Sequence, residues 1–592
     1  MSDESTPGDR RTRPTQQRLH WLPGIAQLRQ YRVGWLGRDL LAGLALTGIL
    51  VPAGMAYAEA SGLPAITGLY ATIVPLLAYA VLGPSRLLIL GPDSSLVPLV
   101  LAALAPFALM GEGARIEHAA LLAVMVGVLM AGMGLLRLGF VADLISMPVR
   151  EGYLVGIAVL ILAAQLPLLF GLPGTDGGAI ERFVDLGQSI LQGEADLVAL
   201  AVGTGCLVAI LGARHLDERI PGILIAVVAA TIVSWALDLE ATAGIAVVGA
   251  LPQGLPSLTV PRLDLEAVVA LLPAAVSIVL VTAADTVILS RTFAARHQYR
   301  ASPDQELVAL GGANLATGLL SGYPISSSSS RTAVAESARQ KTQLAGVVGA
   351  LTIAALLVLA PGLLSTMPQA ALAAVVIAAA IGLVVIPAWQ RLWSWRRGEF
   401  LVALVTFMGV LAIGVVEGII IAVALSLLAF LRRAWRPHDA VLGRQTGLKG
   451  YHDLTFYPDA RLIPGLVLYR FDAPLSFFNA ETFRERVLEV SGDVETPAAW
   501  VVIAAEPITD IDTTAAEQLA KLLDELDLRS VTLAFAGLKD PVKRRLRRYG
   551  LVERIGEEHF YPTMGTAIDG YITATGVRWI DWEDVDEPDG AG

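Results

Sequence analysis

Fourteen apolar runs, most of them close to the ~20 residues that cross a hydrocarbon core, occupy residues 39–434 and constrain every other reading of this chain. Seven lie near 39–60, 65–83, 93–109, 118–136, 152–171, 196–213 and 221–239. Seven more lie near 266–290, 305–321, 325–338, 344–364, 371–386, 399–416 and 418–434. Several are too short or too interrupted by proline to be simple spans. Only 16% of the residues are charged, against 55% hydrophobic, whereas a water-soluble chain carries about a quarter charged residues. The chain therefore reads as a polytopic α-helical protein embedded in a lipid bilayer. An arm over 1–38 precedes the runs, with Arg10, Arg11, Arg13 and Arg18, and residues 1–20 lack the apolar core of a cleavable signal.

Charge placement predicts the topology. With the N-terminus inside, the even-numbered connections carry Arg86, Arg137 and Arg150, Arg214 and Arg219. Further along they carry Arg291, Arg296 and Arg300, Arg339 and Lys341, then Arg391, Arg396 and Arg397, while Arg432, Arg433 and Arg436 follow the last run. The odd-numbered connections are poor in bases and include the acidic piece at 176–185. This bias predicts cytoplasmic N- and C-termini and a multi-pass protein of the cell's inner (plasma) membrane.

The net charge of −11 has a different origin: from about residue 437 onward there are roughly 27 acids against 16 bases. No basic face stands out, so nucleic acid is not an expected partner. The lone cysteine, Cys206, excludes a disulfide framework within the chain and leaves no Cys cluster for a metal. No cofactor is expected. An enzyme is not expected either, since no nucleophile–base constellation or metal motif is present.

The two sets of seven echo each other. Gly91-Pro92-Asp93 opens the third run of the first set, and Tyr323-Pro324-Ile325 opens the third run of the second. Seven is odd, so two such repeats must be inverted relative to one another. Short, Gly/Pro-interrupted segments at matching places of inverted halves point to a transporter's substrate site.

The second of these openings leads into five serines and Arg331. If Pro324 begins a helix, the serines surround its N-terminus, where unpaired N–H groups and the helix dipole favour an anion. Arg331 adds a full charge about two turns further on. The competing reading is a flexible serine linker. Against it, an arginine at the bilayer centre costs about 2.5–3.5 kcal/mol on insertion scales. At the matching place Asp93 has three readings: a helix cap, a proton or cation site, or charge balance for Arg331. Asp285, inside an apolar run, must be ion-paired, protonated or cation-bound.

After the runs the pattern alternates strand and helix: strands at 466–471, 500–503 and 531–535, helices at 481–490 and 515–528. This predicts a small α/β domain over 450–575, followed by a disordered tail at 579–592.

Together these residues resemble the sulfate permease (SulP) family, the bacterial relatives of the animal SLC26 anion transporters. The resemblance is carried by VPAGMAYAEASGLPAITGLYATIVPLLAYAVLGPSRLLILGP at 51–92, SPDQELVAL at 302–310 and NLATGLLSGYPISSSSSRTAVAESA at 314–338. It implies fourteen transmembrane segments in two inverted seven-segment repeats, about 39–239 and 266–436. Segments 1–4 and 8–11 would form a core, and segments 5–7 and 12–14 a gate. The anion would lie between half-helices of segments 3 and 10, with elevator-type movement of the core and a homodimer. Carried over by position, the anion-binding groups are Tyr57, Asp93, Ser94, Ser95, Ser328, Ser329, Ser330 and Arg331, and the coupling carboxylates are Asp285 and Asp93.

Two departures from the family pattern bear on function. Ala53 stands where a glutamine is common, and Leu289 stands where bicarbonate members place a Na⁺-coordinating threonine. The C-terminal part resembles a STAS domain through ITDIDTTAAEQL at 508–519, with an unknown cytoplasmic partner. There Thr513 would take the phosphorylatable place, or Asp512 and Thr513 simply cap the following helix.

The expected function is H⁺-coupled uptake of a small anion, sulfate first, with bicarbonate or a dicarboxylate as further candidates. The alternatives are a Na⁺-coupled bicarbonate symporter, a nucleobase transporter of similar architecture, and a passive anion channel or membrane sensor with STAS as its output.

Overall fold

The computed structural model describes residues 22–29, 31–174, 177–217, 220–252, 254–299, 301–492 and 497–579. Arg10, Arg11, Arg13, Arg18, Arg219, Arg300, Asp176 and the expected tail from 580 onward lie outside the described residues. The chain divides into two compact units, one ending at Ser426 and one beginning at Leu427.

In the first half the principal helices are α1 (Leu36–Ala60), α2 (Ala65–Leu82), α3 (Val97–Leu104), α4 (Glu112–Leu135), α5 (Met147–Leu169), α6 (Leu197–Leu216) and α7 (Gly222–Leu237). The second half has α8 (Leu265–Arg296), α9 (Pro303–Leu319), α10 (Ser329–Ser337), α11 (Leu344–Leu359), α12 (Gln369–Leu383), α13 (Arg397–Ala412) and α14 (Val415–Trp435). Among the described residues, eight helices are long and apolar enough to cross a membrane, and three shorter ones, Val97–Met110, Gly222–Leu237 and Leu344–Leu359, are apolar as well. In lipid each backbone N–H and C=O must be satisfied internally, which is why such runs become helices.

The packing has the symmetry of an inverted repeat. Adding seven to a helix number turns one set of contacts into another: α1 packs on α11 and α8 on α4; α2 on α11 and α9 on α4. Likewise α3 packs on α8 and α10 on α1, and α5 on α13 and α12 on α6. Helices α1–α4 and α8–α11 thus form one group, and α5–α7 with α12 and α13 a second.

At the centre of the first group the chain is not helical. Strand β1 (Leu90–Gly91) pairs antiparallel with β2 (Ser326–Ser327), joining the two halves at Leu90↔Ser327 and Gly91↔Ser326. This corrects the expectation that Pro324 begins a helix: α10 starts at Ser329, with Ser328 as its N-cap. It also makes Arg331 the third residue of α10 rather than two turns inside. The cause is competition for hydrogen bonds. The Ile325 N–H donates to Asn314 Oδ1 at 2.9 Å, and Asn314 Nδ2 donates to the Ile325 carbonyl at 3.2 Å. Ser328 N–H then goes to the Ile89 carbonyl at 3.1 Å. Likewise the helix of the third run opens at Val97 and not at Asp93, with Pro98 in its first turn.

The C-terminal unit holds a six-stranded sheet of β3 (Asp439–Arg444), β4 (Tyr451–Asp453), β5 (Leu466–Phe471), β6 (Trp500–Ala504), β7 (Thr532–Ala536) and β8 (Phe560–Tyr561). The order is β4-β3-β5-β6-β7-β8, parallel from β5 to β8. The sheet starts at Asp439, upstream of the expected boundary at 450, because β3 pairs antiparallel with both β4 and β5. The central strands are buried nearly throughout, as parallel strands covered on both faces must be. Helices α15 (Ala480–Gly492) and α16 (Thr513–Leu528) pack on each other.

Candidate functional site

A cavity of about 1150 Å³ lies between the two helix groups of the first unit. Its wall includes Tyr57 of α1, Asp93, Ser94 and Ser95 ahead of α3, Asp285 of α8, and Ser328, Ser329 and Ser330 at the start of α10. These residues, far apart in sequence, are brought together by the β1–β2 pairing. Arg331 is not on the wall; it lies behind the serines, only 2% exposed.

The setting of Arg331 is unusual. Its Nε, Nη1 and Nη2 are buried and have no hydrogen-bond partner among the described residues. The nearest counter-charge is Asp93, with Nη2 3.8 Å from Oδ1, too long for a hydrogen bond. Of the three readings of Asp93, charge balance for Arg331 is thus realised geometrically. The other oxygen of Asp93 serves the local turn, accepting from Ser95 N–H at 3.1 Å and Ser95 Oγ at 2.8 Å. Two more polar atoms nearby in sequence, Tyr323 Oη and Ser326 Oγ, are also buried without a partner. Buried donors left unsatisfied cost about 1–3 kcal/mol each, and more when charged. A cluster of them beside a cavity has the chemistry of a cradle that an anion would complete.

Gly91 is required for this approach. Its φ is +152°, and a Cβ there would come within 3.0 Å of Arg331 Nη1. Thr286 Oγ1 and Ser327 Oγ, 2.8 Å apart, tie α8 to β2. The Ile89 N–H donates to Thr332 Oγ1 at 3.2 Å, fixing β1 against α10.

Asp285 is ion-paired, one of the three states open to it: Arg150 Nε lies 3.6 Å from its Oδ1. Arg150, counted in the sequence among the side-determining bases, also lines the cavity, from the first turn of α5. Its signal was present in VREGY, where two charges abut an apolar run. Asn314 also went unremarked, although an amide inside an apolar helix had the same kind of signal. Glu306 forms a separate buried knot, accepting from Tyr79 Oη at 2.6 Å and Ser290 Oγ at 2.5 Å.

In the C-terminal unit Asp512 caps α16, its Oδ1 accepting from Ala515 N–H at 2.8 Å. Its Oδ2 accepts from Phe477 N–H at 2.7 Å. The helix starts at Thr513, two positions before the expected Ala515, and Thr513 itself is exposed.

Comparison with known proteins agrees with these features. Residues 36–406 match the sulfate permease family and residues 457–567 the STAS domain. A protein of Mycobacterium tuberculosis named "Probable sulfate transporter" is 40% identical over 94% of this chain and 99% of its own length. "Sulfate transporter 4.1, chloroplastic" of Arabidopsis thaliana is 32% identical over 92% of this chain and 82% of its own. Among solved structures, the murine Slc26a9 anion transporter in the inward-facing state aligns with a TM-score of 0.85. That alignment covers 94% of both chains at 23% identity, a likeness of fold. An inverted repeat with paired half-helices and a C-terminal α/β domain is thus joined to sequence identity along nearly the whole chain: the protein belongs to the sulfate permease family and carries a STAS domain.

Proposed function

We propose that this chain takes up a small anion, sulfate first, by H⁺-coupled secondary active transport across the cell's inner membrane. The observation that carries the reading is Arg331: a buried guanidinium without a hydrogen-bond partner, behind serines that open a helix and line a cavity. The first N–H groups of a helix are free donors at the positive end of its dipole. An anion seated there gains these donors and the arginine's charge together.

In this reading the anion lies between α3 and α10, touching Ser94, Ser95, Ser328, Ser329, Ser330 and Tyr57. Asp285 and Asp93 carry the coupling protons. The cavity wall also includes Arg214, Arg296 and Arg339, bases that the charge rule assigns to the cytoplasmic side. The cavity then opens inward, with both termini in the cytoplasm and fourteen segments in all. Alternation follows from elevator-type sliding of the group α1–α4 and α8–α11 against the rest, in a homodimer. Thr513, exposed beside the Asp512 cap, is where the STAS domain would be modified or meet a partner.

Sulfate takes precedence because relatives 40% and 32% identical over 94% and 92% of this chain are named as a probable sulfate transporter and a sulfate transporter. A Na⁺-coupled bicarbonate symporter is disfavoured by Leu289, which lines the cavity one turn after Asp285 and offers no oxygen. The test is uptake of labelled sulfate, bicarbonate and dicarboxylate into proteoliposomes at two pH values, with and without Na⁺. Uphill sulfate accumulation driven by a pH gradient is expected. Accumulation that needs Na⁺, or flux only down the anion's own gradient, would overturn the coupling.

A further inference from the structure

We propose that Arg150 is a second anion-binding cation, working with Arg331 across the cavity, and that two carboxylate–guanidinium pairs set the coupling at two protons for each dianion. This rests on the anion-transport reading above and deepens it.

Two carboxylate–guanidinium pairs lie at the cavity. Arg150 Nε is 3.6 Å from Asp285 Oδ1, and Arg331 Nη2 is 3.8 Å from Asp93 Oδ1. Asp93 is also within electrostatic reach of Asp285. Neither pair is hydrogen-bonded at these distances. Arg150 Nε and all three Arg331 nitrogens are buried donors without an acceptor. Such loose pairs leave both cations ready to exchange a carboxylate for a better-fitting anion.

The groups next to the two pairs are three tyrosines and Glu151, and farther along the cavity wall lie Arg214, Arg296 and Arg339 with Asp217 and Glu336. Tyr57 and Tyr323 face Asp93 and Arg331, and Tyr153 faces Asp285. Their neutral hydroxyls add donors and no charge. Glu151, beside Arg150 on α5 and within reach of Asp285, has Arg391 as its second cationic neighbour. The two pairs themselves hold two positive and two negative charges.

A dianion entering unaccompanied would leave two uncompensated negative charges beside the buried Arg331. Two protons taken from water on the outer side, one on Asp285 and one on Asp93, remove them and free both guanidiniums. The dianion then occupies the place of two carboxylates, and on the inner side both protons pass to cytoplasmic water. Two positive and two negative charges cross together, so the cycle is electroneutral. A monoanion displaces one carboxylate and needs one proton. Because Arg150 belongs to the α5 group and Arg331 to the α10 group, a dianion held by both also links occupancy to the relative position of the two groups.

The experiment measures equilibrium accumulation of labelled sulfate in proteoliposomes of the full chain, with membrane potential clamped by K⁺ and valinomycin. The expected result for the wild type is about 100-fold accumulation per pH unit, independent of potential, since each proton contributes about tenfold. Arg150→Gln should reduce this to about tenfold and make it potential-dependent, whereas Arg150→Lys should restore most of the wild-type slope. A tenfold slope, or a potential-dependent one, in the wild type overturns the proposal without needing any variant. So does an Arg150→Gln protein with the wild-type slope. If wild-type liposomes move no anion at all, the transport reading itself fails.

Discussion

Replacing Asn314 with leucine keeps the branched heavy-atom outline of the side chain while removing the clamp that holds Ile325 extended. Asn314 is fully buried and supplies both the acceptor for the Ile325 N–H and a donor to the Ile325 carbonyl, at 2.9 and 3.2 Å. In the leucine variant those two backbone groups, on a residue with no exposure, lose their partners. Each unsatisfied group costs about 1–3 kcal/mol, so the expected loss is about 2–6 kcal/mol. The third bond of Asn314, to the Leu310 carbonyl at 3.1 Å, is one that its own helix can do without. Part of the loss lowers the melting temperature of the protein in detergent. The rest falls on the order of the β1–β2 pair, and about 1.4 kcal/mol there weakens sulfate binding about tenfold. The assay is sulfate titration of the purified variant alongside a thermal melt. An unshifted melt with unchanged sulfate affinity would refute the claim that Asn314 fixes the break in the helix.

Three further outcomes are expected. Gly91→Ala forces a side chain into a φ of +152°, with its Cβ 3.0 Å from Arg331 Nη1; strain of about 1–3 kcal/mol should weaken sulfate binding by at least several-fold in the same titration. Asp512→Ala removes the cap on Ala515 N–H and should destabilise the C-terminal unit by about 1 kcal/mol, read by urea unfolding, with Asp512→Asn recovering most of it. Burial pushes the Asp453 carboxyl up, yet the Thr455 amide and hydroxyl and the His438 ring together hold it below its usual range. Stability from this lowered value is present above the unfolded value near 3.8 and is lost as pH falls through the native one; amide exchange in β4 should therefore differ between wild type and Asp453→Asn at pH 7 and converge in strong acid.

Much of the fold was legible because lipid imposes few solutions. Apolar length gave the helices, and the odd repeat gave the inversion seen in the packing of α1 on α11 and α8 on α4. The parallel strands β5, β6 and β7 were equally plain from buried runs such as Leu466–Phe471. What stayed hidden was cross-chain bonding. Pro324 is as good a first-turn residue for a helix as it is a neighbour for a strand, and the choice is made by Asn314 and by the Gly91–Ser326 register. The contact of Arg150 with Asp285 stayed hidden for a similar reason. A base at the edge of an apolar run satisfies the charge rule whether it faces water outside the protein or an acid across a cavity, and its distance to Asp285 is a property of the assembled helices. β3 was missed because its partners, β4 and β5, lie on both sides of a loop that carries no strong strand signal.

The central claim is that Arg331, together with the helix start in front of it, holds the anion. Equilibrium binding of labelled sulfate to the purified protein in nanodiscs, wild type against Arg331→Ala, tests it most directly, with a thermal melt to establish that the variant is folded. Loss of one partner of a buried charged contact costs about 2–5 kcal/mol, so binding should weaken about 30-fold to a few thousand-fold. A folded Arg331→Ala protein that binds sulfate within about threefold of the wild type, a difference well under 1 kcal/mol, would contradict the account.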